Sequence, residues 1–155
     1  MNTCIFCEIV QGNMPCHRVW EDDAHLAFLS IFPNTPGVTV VIPKKHVSSY
    51  VFDVEESVML NLMKAGKNVA KCLDKAFMDV GRTGVVFEGF GVDHLHMKLY
   101  PLHKTDSVKT WKPRENSRDE FYDAYPGFIS SHDATRADDG ELEILAKNIR
   151  EAREK

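Results

Sequence analysis

A single domain that mixes short strands with one long helix is what this sequence predicts, and three patterns carry the prediction. Polar and apolar side chains alternate strictly through Asp93-His94-Leu95-His96-Met97-Lys98-Leu99, the period of a strand with one buried face. β-branched residues crowd Val38-Thr39-Val40-Val41-Ile42, as a buried strand favours. Between Asp53 and about Met78, Met59, Leu62, Met63, Val69, Ala70, Leu73, Ala76 and Phe77 recur at helical spacing.

In chain order, Ile5, Phe6, Ile9 and Val10 form a short helical turn that Gly12 and Pro15 end. Arg18–Glu21 and His25–Ser30 read as a hairpin across the acidic turn Glu21-Asp22-Asp23. Pro33-Asn34-Thr35-Pro36-Gly37 is a tight connection into residues 38–42, and Pro43 closes that strand. Asp53 is expected to cap the long helix, with Glu56 reaching back to complete a capping box. Lys64, Lys67, Lys71 and Lys75 mark its solvated face. Thr83–Glu88 is a further strand, which the link Gly89-Phe90-Gly91 joins antiparallel to the histidine strand ending at Tyr100-Pro101. Beyond His103, Trp111, Phe121, Tyr122, Tyr125 and Phe128 are aromatic islands in an irregular arm, followed by a charged helix from Gly140.

The chain has 155 residues, 43% hydrophobic and 27% charged. That is enough for one domain with a real core plus an arm. No apolar run approaches the ~18 residues of a membrane span. The start, Met1-Asn2-Thr3-Cys4, shows no basic segment followed by an apolar one, so a reducing, cytoplasmic compartment is expected. A net charge of −4 gives no broad footprint for duplex nucleic acid.

The chemistry gathers on few residues. His94, His96 and Lys98 share one face of their strand, and such a row calls for a metal or a phosphate between its members. Cys4-Ile5-Phe6-Cys7 supplies the C-x-x-C spacing of half a tetrahedral zinc site. Its remaining ligands are open among Cys16, His17, His25, His46, Cys72, His94, His96, His103 and His132, with His46 and His94 favoured because both stand at strand ends. A thiol pair used for packing or redox exchange is the alternative.

Cys4/Cys7, Phe28-Leu29-Ser30-Ile31-Phe32-Pro33, Val40-Val41-Ile42-Pro43-Lys44-Lys45-His46 and His94-Leu95-His96-Met97-Lys98 together resemble the histidine triad family. The resemblance spans about residues 4–103, in register across four blocks. It implies an α+β fold with a mainly antiparallel sheet of about five strands, one long helix and a short N-terminal helix. The domain would occupy residues 1–103, with 104–155 an irregular arm and terminal helix packed on it. It further implies a nucleotidyl hydrolase or transferase acting on the α-phosphate of a purine nucleotide derivative: a phosphoramidate, a dinucleoside polyphosphate or an adenylate. His96 would be the nucleophile that carries the covalent nucleotidyl group, with Lys98 beside it. Ile5, Phe6, Ile9, Phe28 and Ser30 would hold the nucleotide, and Cys4, Cys7, His46 and His94 a structural zinc. A homodimer is implied as well.

Three positions depart from the family pattern. Lys98 replaces the third histidine, Ser30 the aspartate that grips the ribose, and Val38 a further histidine. The segment Glu88–Val92 also lacks the usual Gln and Asn. Lys98 still offers a point charge to a phosphoryl oxygen. Ser30 in place of aspartate gives up about 1 kcal/mol of charge-assisted hydrogen bonding. These departures keep two other readings open: a non-catalytic nucleotide-binding or regulatory module, and a zinc-stabilised interaction domain. Tail residues such as His132 or Arg136 would compensate by folding over the site.

Overall fold

The computed structural model describes residues 4–106, 120–130 and 136–152, with the side chains of 146–152 excepted. Trp111 and His132 lie outside the described residues. The chain forms two compact units, Met1–Lys112 and Pro113–Lys155.

In the first unit the order is α1 (Ile5–Val10), β1 (Arg18–Glu21), β2 (His25–Leu29), β3 (Thr39–Pro43), α2 (Glu56–Ala76), β4 (Thr83–Val86) and β5 (Met97–Pro101). The strands form one five-stranded sheet ordered β1-β2-β3-β5-β4, with every pairing antiparallel. This is the α+β architecture expected.

Alternation along the strands gives the sheet two faces. Ala27 and Val41, Met97 and Leu99 point toward α2, where they meet Leu62, Ala65, Val69 and Leu73 in the main core together with Leu95. Leu26, Phe28, Val40 and Ile42 face the other way and are covered by Phe6, Ile9, Val10 and Cys16. Lys98 is the cross-strand partner of Val40, so it belongs to this second face. The long helix therefore buries one side of the sheet and leaves the chemistry to the other.

Two local expectations differ. Asp53 does not cap α2: its N–H bonds Tyr50 O at 3.1 Å in a turn, and the helix starts later, with Glu55 at the N-cap and no side-chain cap bond. The strand expected across the histidine segment forms only from Met97. Before that, His94 N–H bonds Val92 O at 2.9 Å and Leu95 N–H bonds Val47 O at 2.8 Å. The backbone donors are satisfied by loops, and the connection from β4 to β5 runs over residues 87–96 rather than through a tight glycine link.

In the second unit α3 spans Asp139–Ala152. Asp138 Oδ1 accepts the N–H groups of Gly140 at 2.8 Å and Glu141 at 3.1 Å, a side-chain N-cap. Arg136 is engaged there too, donating to Asp139 Oδ1 at 2.7 Å.

Candidate metal centre and phosphate site

The C-x-x-C works because α1 begins at Ile5. Cys4 at the N-cap and Cys7 one turn on lie on one side of the helix end. Their thiols face two imidazoles from distant loops. Cys4 Sγ is 3.4 Å from His94 Nδ1, Cys7 Sγ is 3.4 Å from His46 Nδ1 and 3.6 Å from His94 Nδ1. All four donor atoms fall within 4.8 Å of one another. A tetrahedral ion with bonds of about 2.3 Å to sulfur and 2.0–2.1 Å to nitrogen has S···N edges of about 3.6 Å, so the four residues are positioned for a metal site.

The tautomer of His94 fits the same role. Its Nε2 lies 2.8 Å from Pro43 O; a carbonyl only accepts, so Nε2 carries the hydrogen and Nδ1 keeps its lone pair toward the thiols. Without a cation, burial first and the neighbouring Cys4 thiol next push the Cys7 thiol up; a bound cation reverses that balance and draws off the proton. Of the ligand candidates open in the sequence, only His46 and His94 complete this cluster among the described residues.

His96 stands apart from the cluster. Its Nδ1 is 2.7 Å from His94 O, so Nδ1 donates and Nε2 holds the lone pair. The residue keeps 4% of its surface exposed. No buried side-chain nitrogen or oxygen among the described residues lacks a hydrogen-bond partner, and the ring's hydrogen bond is at Nδ1, so Nε2 is the atom that reaches solvent. Burial holds the imidazole below its ordinary pKa, with the Lys98 charge acting the same way and the His94 carbonyl and Glu88 opposing. It is a neutral ring with an outward lone pair near pH 7.

The family assignment then follows from the sequence as a whole: the HIT-domain profile matches residues 11–105. The chain belongs to the HIT family. Among the relatives of this HIT protein, an adenosine 5'-monophosphoramidase of Schizosaccharomyces pombe is 33% identical over 100 residues, covering 64% of this chain and 74% of that one. A crystal structure from Streptococcus mutans superposes with a TM-score of 0.69 at 29% identity, covering 98% of this chain and 86% of that one. A zinc-bound histidine triad family protein from Mycobacterium smegmatis superposes with a TM-score of 0.62 at 27% identity, covering 68% and 79%.

Around the HIT histidines, Phe6 is the shared wall. Its ring meets Phe28 at 5.6 Å, His94 at 5.8 Å and His96 at 5.5 Å between centroids, edge to face in each case. Ile9 packs against the same cluster, whereas Ile5 points outward, 43% exposed. Ser30 Oγ accepts the N–H of Phe32 at 3.2 Å, which braces the turn after β2. Lys98 is paired: its Nζ lies 3.3 Å from Glu88 Oε2.

Glu88 is the residue that sequence reasoning missed. Val86 pairs with Lys98 where the β4–β5 ladder ends, and Glu88, two residues beyond it, reaches back to Lys98 and acts on His96 through its charge. The signal was hidden because the three-residue link read from the sequence would have paired Glu88 with Val92.

Proposed function

We propose that this protein is a nucleotidyl hydrolase or transferase that acts on the α-phosphate of a purine nucleotide derivative (phosphoramidate, dinucleoside polyphosphate or adenylate) through a covalent His96-nucleotidyl intermediate. The observation that carries the reading is the His96 tautomer: Nδ1–H is held by His94 O at 2.7 Å, which leaves Nε2 as a neutral nucleophile.

In the first step Nε2 forms a bond to the α-phosphorus while the bond to the leaving group breaks, its electron pair departing with that group. In the second, water or an acceptor hydroxyl attacks the phosphorus, the N–P bond breaks, its electron pair returns to Nε2, and the proton of the attacking hydroxyl passes to solvent. The positive charge on the intermediate ring is shared with the Nδ1–H···O=C bond. Lys98 stabilises the charge on the non-bridging oxygens. Phe6, Ile9 and Phe28 would wall the purine, Ile5 would flank its entrance, and Ser30 would lie toward the ribose. Cys4, Cys7, His46 and His94 fit zinc by donor type, two thiolates and two imidazoles. Such an ion supplies structure, with all four positions taken by protein.

A homodimer belongs to the same proposal. Leu60 and Met63 on α2 are 48% and 42% exposed, apolar surface that a second copy would cover; a solution mass equal to one chain would overturn it. A cytoplasmic setting agrees with four cysteines that carry no disulfide.

The test is His96→Ala. The variant should fold with the wild-type melt, lose turnover of adenosine phosphoramidate, and form no acid-labile 32P-nucleotidyl adduct. Full activity in that variant would overturn the mechanism. The second reading is a nucleotide-binding module without turnover, favoured by Lys98 being engaged by Glu88 at 3.3 Å. Nucleotide affinity by calorimetry with no release of nucleoside monophosphate by wild type would select it.

A further inference from the structure

The two imidazoles of the candidate metal centre are held by different means. His94 is fully buried, and its Nε2–H is anchored on Pro43 O at 2.8 Å, so packing and a hydrogen bond of its own fix the ring. His46 is exposed, in the loop that follows β3. Its ring meets His94 edge to face at 5.1 Å and turns Nδ1 to Cys7 Sγ at 3.4 Å. An exposed side chain on a loop gains little orientation from burial, so this ring is aimed by the chain that carries it.

That chain is clasped at three points by the residues on either side of His94. Leu95 N–H bonds Val47 O at 2.8 Å. One residue before His94, Asp93 Oδ1 accepts the Ser49 N–H at 3.0 Å and, more weakly, the Ser48 hydroxyl at 3.4 Å. The two loops approach closely elsewhere too: a Cβ on Gly89 would stand 3.3 Å from Ser49 O. Two of the three bonds in the clasp end on the Asp93 carboxylate. Asp93 is itself exposed and belongs to neither core cluster, so packing assigns it no task.

We propose that Asp93 is a positioning residue of the metal centre, a latch whose carboxylate oxygen fixes residues 47–49 so that His46 meets an ion held by Cys4, Cys7 and His94. This rests on the metal reading of that four-residue cluster. A loop already ordered when the ion arrives loses less conformational freedom on ligation, and the difference appears as affinity. The latch needs an acceptor oxygen rather than a charge, because both of its donors are neutral groups. Asparagine offers such an oxygen in the same place. Alanine removes it.

Zinc affinity, read by competition with the chromophoric chelator 4-(2-pyridylazo)resorcinol, tests the latch in wild type, Asp93→Ala, Asp93→Asn, His46→Ala and the double variant of Asp93→Ala with His46→Ala. Asp93→Ala should weaken zinc binding about tenfold, the lower end of what residues that orient metal ligands contribute. Asp93→Asn should stay within about threefold of wild type. Because the latch acts through His46, Asp93→Ala should cost nothing further once His46 is gone, whereas a general structural role would weaken binding equally in both backgrounds. A tenfold loss that persists in the His46→Ala background overturns the proposal, as does an Asp93→Asn variant as weak as Asp93→Ala. Zinc bound by wild type and equally by Asp93→Ala overturns the latch alone, and a wild type that binds no zinc overturns the metal reading and the latch with it.

Discussion

Gly66 is a position where the packing of helix on sheet makes a prediction opposite to the one helix propensity makes. It lies buried within α2, and a Cβ there would stand 2.6 Å from Met97 Sδ and 2.7 Å from Met97 Cε. Carbon and sulfur pack at about 3.5–4.0 Å, so the thioether would have to retreat by about 1 Å. Met97 is fully buried among Leu62, Ala65, Val69, Leu95 and Leu99, where overpacking costs about 1–3 kcal/mol. Alanine in place of glycine returns about 1 kcal/mol of helix propensity. Gly66→Ala should therefore destabilise by about 1 kcal/mol net, lowering Tm by about 4–8 °C for a unit of this size. In a Met97→Ala background the obstacle is gone, and the same substitution should stabilise by about 1 kcal/mol. Urea denaturation of the four proteins of this double-mutant cycle measures both signs. If Gly66→Ala stabilises the wild type as it would an exposed helix, α2 does not approach β5 as described.

Two further perturbations address the edges of the domain and the thiol cluster. His103 donates from both ring nitrogens, Nε2 to Pro36 O at 3.0 Å and Nδ1 to Asp79 Oδ1 at 3.1 Å, and the carbonyl first and the carboxylate next raise its pKa above 6.5. Asp79 also takes the N–H of Lys104, and its own pKa is lowered, chiefly by His103. The stability His103 contributes is full below 6.5 and is lost as pH rises through its higher folded value. The Tm gap between wild type and His103→Gln should therefore shrink on the alkaline side, and a gap independent of pH would refute the imidazolium. For the thiol cluster, purified protein should carry about one zinc per chain, and chelation or Cys7→Ser should lower Tm by several degrees; a melt indifferent to chelator would remove the metal from the account.

Much of the fold was readable because its elements are locally consistent. The alternation of Leu95, Met97 and Leu99 against His94, His96 and Lys98 separated the core side from the Phe6 side of the segment that leads into β5, and the β-branched run located β3. What escaped the sequence depended on contacts distant along the chain. The cap at Asp53 failed because the turn after Tyr50 continues to Val54 and delays α2. Donor spacing gave Cys4 and Cys7, but His46 and His94 were favoured over the other candidates only by their place at strand ends and by the family resemblance, since residues 39 and 87 positions from Cys7 are joined by tertiary packing. His103 was weighed as a metal ligand and serves instead as a strap, holding Pro36 and Asp79 from separate loops. Glu88 was read only as the end of a strand and the start of a segment lacking the usual Gln and Asn, because its pairing with Lys98 depends on the course of residues 87–96, which no local pattern declares.

The candidate metal centre and the proposed nucleophile meet at one residue, His94, and the division of labour within it determines how they would be coupled. His94 turns Nδ1 to the thiols, gives its Nε2–H to Pro43 O, and offers its backbone oxygen to His96. That oxygen is fixed by the chain on either side: His94 N–H is tied to Val92 O and Leu95 N–H to Val47 O, and the Leu95 side chain is fully buried. Those backbone bonds do not involve the thiols, so the His96 tautomer would not depend on a metal held there. Phe6 would, because it sits between Cys4 and Cys7 on the six-residue α1, too short to hold itself together without tertiary support. Since Phe6 packs on both His94 and His96, a metal held by the cluster would act on the proposed site through this ring and leave Nε2 of His96 to the backbone.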